Sequence, residues 1–263
     1  MFHKRPNIGF KEVVLLADGK ELKDLQCAGL GPGQLEFEVG SCRFKMICVE
    51  HGSFMMGTTD GLAPDDQKPI HQVTLTKSFY IGEIPVTCEL WNAVMMGFES
   101  YEGRDDSPVN SADWLGIQAF INLLNIRTGM RFRLPTEAEW EFAARGGNKS
   151  NGYKYSGSDN IDEVAWYYNN SKEASHPVRL KKANELGIYD MCGNVWEICQ
   201  DRWGYYSSEP QKNPSGPESG IDCVARGGSF VDWKERCTLS SRSCVKVYER
   251  IYKYGFRLAL SEL

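Results

Sequence analysis

Histidine is scarce in this sequence, with four residues among 263, at positions 3, 51, 71 and 176. Imidazoles without regular spacing are a weak signal for a metal site, so we interpret each as a surface or hydrogen-bonded side chain. No segment approaches the roughly 18 consecutive apolar residues of a membrane-spanning helix, which predicts no direct membrane span. The formal net charge of −5 lacks the basic excess of a nucleic-acid-binding surface, so no nucleic-acid partner is expected.

Cysteine pairs of the CxxC type are also absent, which gives no support for a zinc site. The cysteines number nine, an odd count in a chain long enough to build a core without disulfides. Free cysteine behaves as a small hydrophobic residue, so we predict that most of these are buried thiols. They lie at positions 27, 42, 48, 88, 192, 199, 223, 237 and 244.

The first 42 residues predict an N-terminal β extension that packs on the main domain. Apolar runs at 12–16 and 35–39 are separated by the glycine-rich breaker 29–33, as expected for two short strands. Two further strand pairs are predicted downstream. The first joins 46–49 to 53–56 as a hairpin, and the second joins 73–76 to 79–81.

Two helices have clear boundary signals. Asp113 is a candidate N-cap and Gly129 a stop signal for the first helix. In the second, Thr136 and Glu139 form the pattern of a capping box, and Gly146 closes the helix. The first helix carries an apolar stripe of Ile117, Phe120, Ile121 and Leu124.

Residues 146–228 differ from the rest of the chain because they are rich in Gly, Asn, Ser, Tyr and Trp and have few periodic runs. Much of this region is therefore predicted to be irregular. Long loops inside a compact domain are usually functional or braced by metal ions.

Four motifs carry a family resemblance: RLPTEAEWEFAARGG at 133–147, NELGIYDMCGNVWEICQDRW at 184–203, RGGSF at 226–230 and GFRLAL at 255–260. Their order and spacing resemble the formylglycine-generating enzyme, or sulfatase-modifying factor, family. The resemblance implies an α+β, C-type lectin-like fold with much irregular loop and two helices. It also implies that residues 43–263 form the lectin-type domain.

The enzymes of that family bind copper through two thiols that lie shortly after the RGGS motif. The resemblance places Asp232 in the first thiol position and Cys237 in the second. Soft thiolates suit Cu(I), whereas a carboxylate is a hard ligand, so the dithiolate site is expected to be absent. We expect no enzymatic activity and no copper, haem or nucleotide. An atypical copper- or cysteine-dependent oxidase that uses Cys237 with Cys244 remains the alternative.

A calcium loop of the family is matched by Asp190, Gly193, Val195 and Glu197. The resemblance implies that two carboxylates and two backbone carbonyls converge on a structural Ca²⁺, an ion that prefers hard oxygen ligands. The other interpretation is that Asp190 and Glu197 hydrogen-bond loop backbone and nearby arginines. The sequence leaves both open.

The segment 231–254 departs from the common family pattern, although Arg242 and Arg250 match it. Trp, Tyr, Val and Ile stand in slots that usually carry Asn-rich loops, and large apolar residues in such slots suggest contact with a partner. This resembles the variable proteins of diversity-generating retroelements, and in particular their treponemal members. The predicted ligand-binding residues are Val231, Asp232, Trp233, Lys234, Ser243, Cys244, Val245, Lys246, Val247, Tyr248, Ile251, Tyr252 and Lys253.

Aromatic anchors mixed with both signs of charge are typical of protein interfaces and antibody paratopes. We therefore expect a non-catalytic, monomeric binding protein whose partner is a protein. The resemblance implies that its variable segment, 231–254, is diversified by a retroelement to bind varied ligands. The calcium-dependent sugar motifs Glu-Pro-Asn and Gln-Pro-Asp do not occur. The resemblance implies a location at the cell surface or outside the cell, and a cytoplasmic location stays open.

Overall fold

The computed structural model describes residues 15–16, 33–96, 100–101 and 103–261. Its helices are α1 (Cys88–Val94), α2 (Trp114–Thr128), α3 (Glu137–Ala144) and α4 (Ile161–Val164). Its strands are β1 (Leu15–Leu16), β2 (Gln34–Val39), β3 (Cys42–Val49), β4 (Gly52–Met56), β5 (His71–Leu75), β6 (Phe79–Gly82), β7 (Phe132–Arg133), β8 (Ala165–Trp166), β9 (Cys192–Gly193), β10 (Trp196–Arg202), β11 (Gln211–Lys212), β12 (Asp222–Arg226), β13 (Arg242–Lys246), β14 (Tyr254–Gly255) and β15 (Ala259–Ser261).

A six-stranded sheet with the order β1-β2-β3-β6-β15-β7 separates two hydrophobic cores. Side chains alternate across a strand, so Met46 of β3 enters one core and Ile47 enters the other. β3 has no edge free to pair with β4, because it pairs with β2 on one side and with β6 on the other. The predicted hairpin between 46–49 and 53–56 is therefore wrong.

The second predicted strand pair is wrong for the same reason. β5 pairs with β4 and β11 in a three-stranded sheet, whereas β6 pairs with β3 and β15. The short link between β5 and β6 carries the chain from one sheet to another. A polar link of this length has the same composition as a hairpin turn, so local sequence does not separate the two cases.

A four-stranded sheet with the order β13-β12-β10-β14 lies within the C-terminal half. β10 and β12 are antiparallel and arise from the region that was predicted to be largely irregular. Cys223 and Ala225 of β12 face the first core and Val224 the second, so the strand is buried on both sides. Such strands lack the alternation of apolar and polar residues by which a strand is recognised in a sequence.

Both predicted helices are confirmed at their ends. The Asp113 side chain accepts a hydrogen bond from the Gly116 N–H at 2.7 Å, and Gly129 ends α2 with φ of 68°. In α3, Thr136 and Glu139 form the reciprocal capping box, and Gly146 follows in the left-handed conformation. The helices α1 and α4 were not predicted, and both are short.

The N-terminal extension is described only from β1 and from residue 33 onward. β2 confirms the predicted strand at 35–39, and it pairs with β3 along its whole length. The predicted strand at 12–16 is described only as β1, and its other residues lie outside the described part. The boundary at residue 42 stays a prediction. Within the described ranges, no helix has both the length and the apolar character needed to cross a membrane.

Candidate ligand-binding face

Asp232 anchors the segment that follows the RGGSF motif. Its Oδ2 accepts hydrogen bonds from the Trp196 indole Nε1 at 2.8 Å and from the Ser229 hydroxyl, and its Oδ1 lies 3.4 Å from Lys253 Nζ. Trp196 is fully buried. Asp232 thus fixes a core indole and the loop that carries Lys253, a structural role that sequence analysis did not assign.

Three exposed aromatic rings surround this anchor. Trp233 is 56% exposed and Tyr252 is 58% exposed. The Trp233 ring lies 4.4 Å from that of Tyr168, which is 40% exposed, and Tyr252 packs on the buried Phe230 at 5.8 Å. The rings therefore rest on fixed neighbours and leave faces open to solvent. We call Tyr168, Trp233, Lys234, Tyr252 and Lys253 the aromatic face.

Tyr168 was missed because it lies outside the family motifs. Its loop is tied to the face by backbone, since Tyr168 N–H donates to the Asp232 carbonyl at 3.0 Å. The Ser171 hydroxyl donates to the Phe230 carbonyl at 2.6 Å, and the His176 ring bonds the Ser171 carbonyl at 2.7 Å. The run Trp166-Tyr167-Tyr168 in a polar loop was the available signal.

The predicted residues on β13 divide between surface and core. Cys244 and Lys246 are exposed, and Ser243 is half-buried with its hydroxyl 3.0 Å from that of Tyr254. Val245 is 2% exposed and belongs to the first core, so its prediction as a ligand-face residue is wrong. The alternation of a strand forces this outcome.

The remaining predicted residues are also mixed. Val231 is half-buried, and Val247 and Ile251 are half-buried with their side chains packed on the first core. Tyr248 is exposed, with Lys246 Nζ 6.0 Å from its ring centroid. Tyr248 lies by α2, because the Trp114 N–H donates to the Val247 carbonyl at 3.2 Å.

The thiols offer little to a metal in this arrangement. Cys237 has no exposed surface, and burial raises its pKa well above the ordinary thiol value. Gly228, with φ of 79°, brings the RGGSF turn so close that a Cβ there would lie 2.6 Å from Cys237 Sγ. Cys244 is an exposed residue, but partial burial of its thiol and the neighbouring Asp222 carboxylate raise the pKa of that thiol to about 11. Thiolate is the form that binds metals.

The predicted calcium residues lie in a buried polar network. Glu197 accepts two hydrogen bonds from Arg257, at 2.5 and 2.6 Å, and one from the Trp140 indole at 2.6 Å. Asp190 accepts from the Arg179 N–H at 2.9 Å, and its other oxygen has only a 3.5 Å contact with Asn194. Burial raises the pKa of Asp190.

This donor set fits a calcium ion only in part, because Arg257 already occupies most of the Glu197 carboxylate. One carboxylate oxygen of Asp190 is available to an ion, because its contact with Asn194 is 3.5 Å long. The Gly193 and Val195 carbonyls belong to the same loop. In the described part of the chain, no group of three or more His, Cys, Asp or Glu side chains is placed to hold a metal ion. Calcium at Asp190, Gly193, Val195 and Glu197 stays a prediction.

Comparison with known proteins identifies the family. The sulfatase-modifying factor enzyme 1-like domain matches residues 38–262. The chain belongs to the sulfatase-modifying factor family. This confirms the resemblance carried by the four motifs.

Two relatives illustrate the breadth of the sulfatase-modifying factor family. The chaperone protein LppX of Paenibacillus barcinonensis is 33% identical over 236 residues, which cover 71% of this chain and 78% of LppX. The formylglycine-generating enzyme of Streptomyces coelicolor is 33% identical over 176 residues, covering 60% of this chain and 54% of the enzyme. The chain thus spans about half of that enzyme's length.

Among solved structures, Treponema denticola variable protein 1 superposes with a TM-score of 0.78 at 30% identity, covering 88% of this chain and 100% of that chain. The fold is therefore α+β and C-type lectin-like, as predicted. The predicted resemblance to treponemal variable proteins is also confirmed.

Proposed function

We propose that this member of the sulfatase-modifying factor family is a non-catalytic protein that binds a protein ligand through its aromatic face. The main observation behind this proposal is that Asp232, in the first thiol position, accepts hydrogen bonds from Trp196 and Ser229, while exposed aromatic rings lie around it. Exposed aromatic anchors on a fixed base lose little side-chain entropy on binding, which is the physical basis of antibody-like recognition.

The charges of the face favour a protein as the ligand. Lys234 is exposed and Glu235 follows it, while Lys253 is held beside Asp232. Mixed charge around aromatic rings resembles the rim and centre of a protein interface. The similarity to Treponema denticola variable protein 1 supports the same role. We propose that the protein acts as a monomer at the cell surface or outside the cell.

Selection from a random-peptide phage library tests this proposal. Peptides that bind the wild-type protein should lose at least tenfold in affinity on Trp233→Ala or Tyr252→Ala, since hot-spot aromatics carry most of the binding energy of an interface. Ile126→Ala is the control, because Ile126 is 76% exposed on α2 and does not belong to the aromatic face. Equal loss in all three variants, or none in the first two, would refute the proposal.

Similarity to formylglycine-generating enzymes favours one other function, an oxidase that uses Cys237 with Cys244. Titration with Cu(I) against a chromophoric chelator, followed by an oxygen-dependent assay on a sulfatase-motif peptide, separates the two. We expect neither tight dithiolate binding nor turnover, because Cys237 is buried and its pKa is raised. Turnover that is lost on Cys237→Ser would establish the oxidase.

A further inference from the structure

A cavity of about 250 Å³, separate from the aromatic face, opens where β10 ends. It lies between the start of α3 and the loop that follows β10, and none of the residues predicted for the ligand face lines it. Its volume is near the lower limit of pockets that hold small ligands. The lining combines buried carboxyls with aromatic and apolar groups, among them Met56, Glu137, Ala138, Asp201, Tyr205 and Pro217.

One of the two carboxylates in this cavity is already neutralised. Arg242 donates to both oxygens of Glu137, at 2.6 and 2.8 Å, and the Tyr206 hydroxyl donates to the same carboxylate at 2.9 Å. Arg242 also donates to the carbonyls of Asp66 and Gly204, at 2.8 and 3.0 Å. Four of the five N–H donors of this guanidinium are therefore already used, which leaves little for a ligand anion.

The other carboxylate, Asp201, lacks such compensation. It is 3% exposed, and its Oδ2 accepts a hydrogen bond from the Glu137 N–H at 2.8 Å. Across the described residues, no Lys, Arg or His forms an ion pair with it. Burial, and then the charge of Glu137, raises its pKa to about 8. A buried carboxylate without a cation partner is costly, so the site favours an incoming positive charge.

We propose that this cavity binds the cationic head group of an alkylamine or alkylguanidine, with Asp201 as its counter-ion. Tyr205, whose side chain is 81% exposed, offers a ring face to the cation. Met56, Ala138 and Pro217 offer apolar surface to an alkyl stem. The head group belongs either to a free amine or to the lysine or arginine side chain of a protein partner. Both present the same cationic group to Asp201.

Titration with n-butylamine and n-butylguanidine, followed by calorimetry or by NMR of the full chain, tests this proposal. We expect saturable binding of both cations and none of n-butanol, which has the same stem without the charge. Asp201→Asn should weaken the binding at least tenfold. Asp222→Asn is the control, because Asp222 is an aspartate with a buried oxygen that lacks a hydrogen-bond partner but lies outside the cavity. Equal binding of n-butanol, or unchanged affinity in Asp201→Asn, would overturn the proposal.

The pH dependence gives a second measure that needs no variant. Because the cation binds ionised Asp201, affinity should rise by up to about tenfold per pH unit from pH 6 to pH 8, while an alkylamine stays charged. Flat affinity would count against Asp201 as the counter-ion.

The titratable or charged groups around Asp201 and in the cavity are Cys199 on β10, Glu137 and Glu139 on α3, Cys223 on β12, Arg242 on β13, His71 on β5, and Arg202 and Tyr206.

Two further arms separate the remaining outcomes. If Asp201→Asn does not fold, Tyr205→Ala replaces it, and a two- to fivefold loss of n-butylamine affinity is expected from the missing ring. Tighter binding of a lysine-containing peptide than of free cadaverine indicates a protein partner, and the reverse order indicates a free amine. Binding here should persist in Trp233→Ala, so this site and the aromatic face can fail independently.

Discussion

The Asp232 carboxylate accepts a hydrogen bond from the indole of Trp196 at 2.8 Å, across 36 residues of sequence. Asp232→Ala leaves the buried indole N–H without its acceptor and should lower the free energy of unfolding by about 1–3 kcal/mol. Asp232→Asn keeps an acceptor oxygen and should cost less. Urea denaturation measures both.

Lys234→Ala is the control for this substitution, because Lys234 is exposed in the same loop. An exposed substitution of this kind should change stability by no more than about 0.5 kcal/mol. If Asp232→Ala were as mild as Lys234→Ala, Asp232 would be a surface residue free to contact a ligand.

The features predicted correctly from sequence are local ones. The caps at Asp113 and Thr136 bond to groups three residues away, so the chain's own spacing encodes them. The family motifs supplied the fold and the place of Asp232. No local pattern shows that β6 occupies the other edge of β3, since β4 and β5 lie between these two strands in the sequence.

The candidate face shows the same limit. The composition of residues 231–254 indicated an exposed aromatic surface, and Trp233 and Tyr252 are exposed. Val245 was misplaced because its strand register fixes which side chains turn inward. Tyr168 comes from a loop that reaches the face through the bond from its backbone N–H to the Asp232 carbonyl. A contact between two segments so far apart in the sequence produces no recognisable pattern in either segment.

Removal of Arg257 should be strongly destabilising. The Glu197 carboxylate is buried and depends on Arg257 at 2.5 Å, so Arg257→Leu leaves an uncompensated charge. Breaking one partner of a buried pair costs about 3–5 kcal/mol. The exposed pair of Arg104 and Asp106 is the control, and Arg104→Ala should leave the free energy of unfolding nearly unchanged in the same urea experiment. Similar losses in the two variants would contradict the assigned role.

Stability should fall as pH rises through the neutral range because of Asp201. Its folded pKa is about 8, against about 3.9 for an unfolded aspartate. Between those values the folded protein retains a proton that the unfolded chain has released, so unfolding becomes easier by up to about 1.4 kcal/mol per pH unit. Asp201→Asn removes this slope. The free energies of unfolding at pH 5, 6.5 and 8 should therefore differ less from one another in the variant than in the wild type, and an equal pH dependence in the two proteins would refute the raised pKa.

Calcium should raise the melting temperature if Asp190 supplies a ligand. Its spare oxygen has only a 3.5 Å contact, and both burial and the charge of Glu197 raise its pKa, so a divalent cation would relieve the carboxylate. A ligand that binds only the folded state stabilises it by mass action. Protein stripped with a chelator and then given CaCl₂ should melt at a higher temperature, and MgCl₂ should do less because Mg²⁺ needs a stricter geometry. Asp190→Ala should abolish the difference. An unchanged wild-type melting temperature would mean that Arg257 and Asn194 hold these carboxylates without a metal.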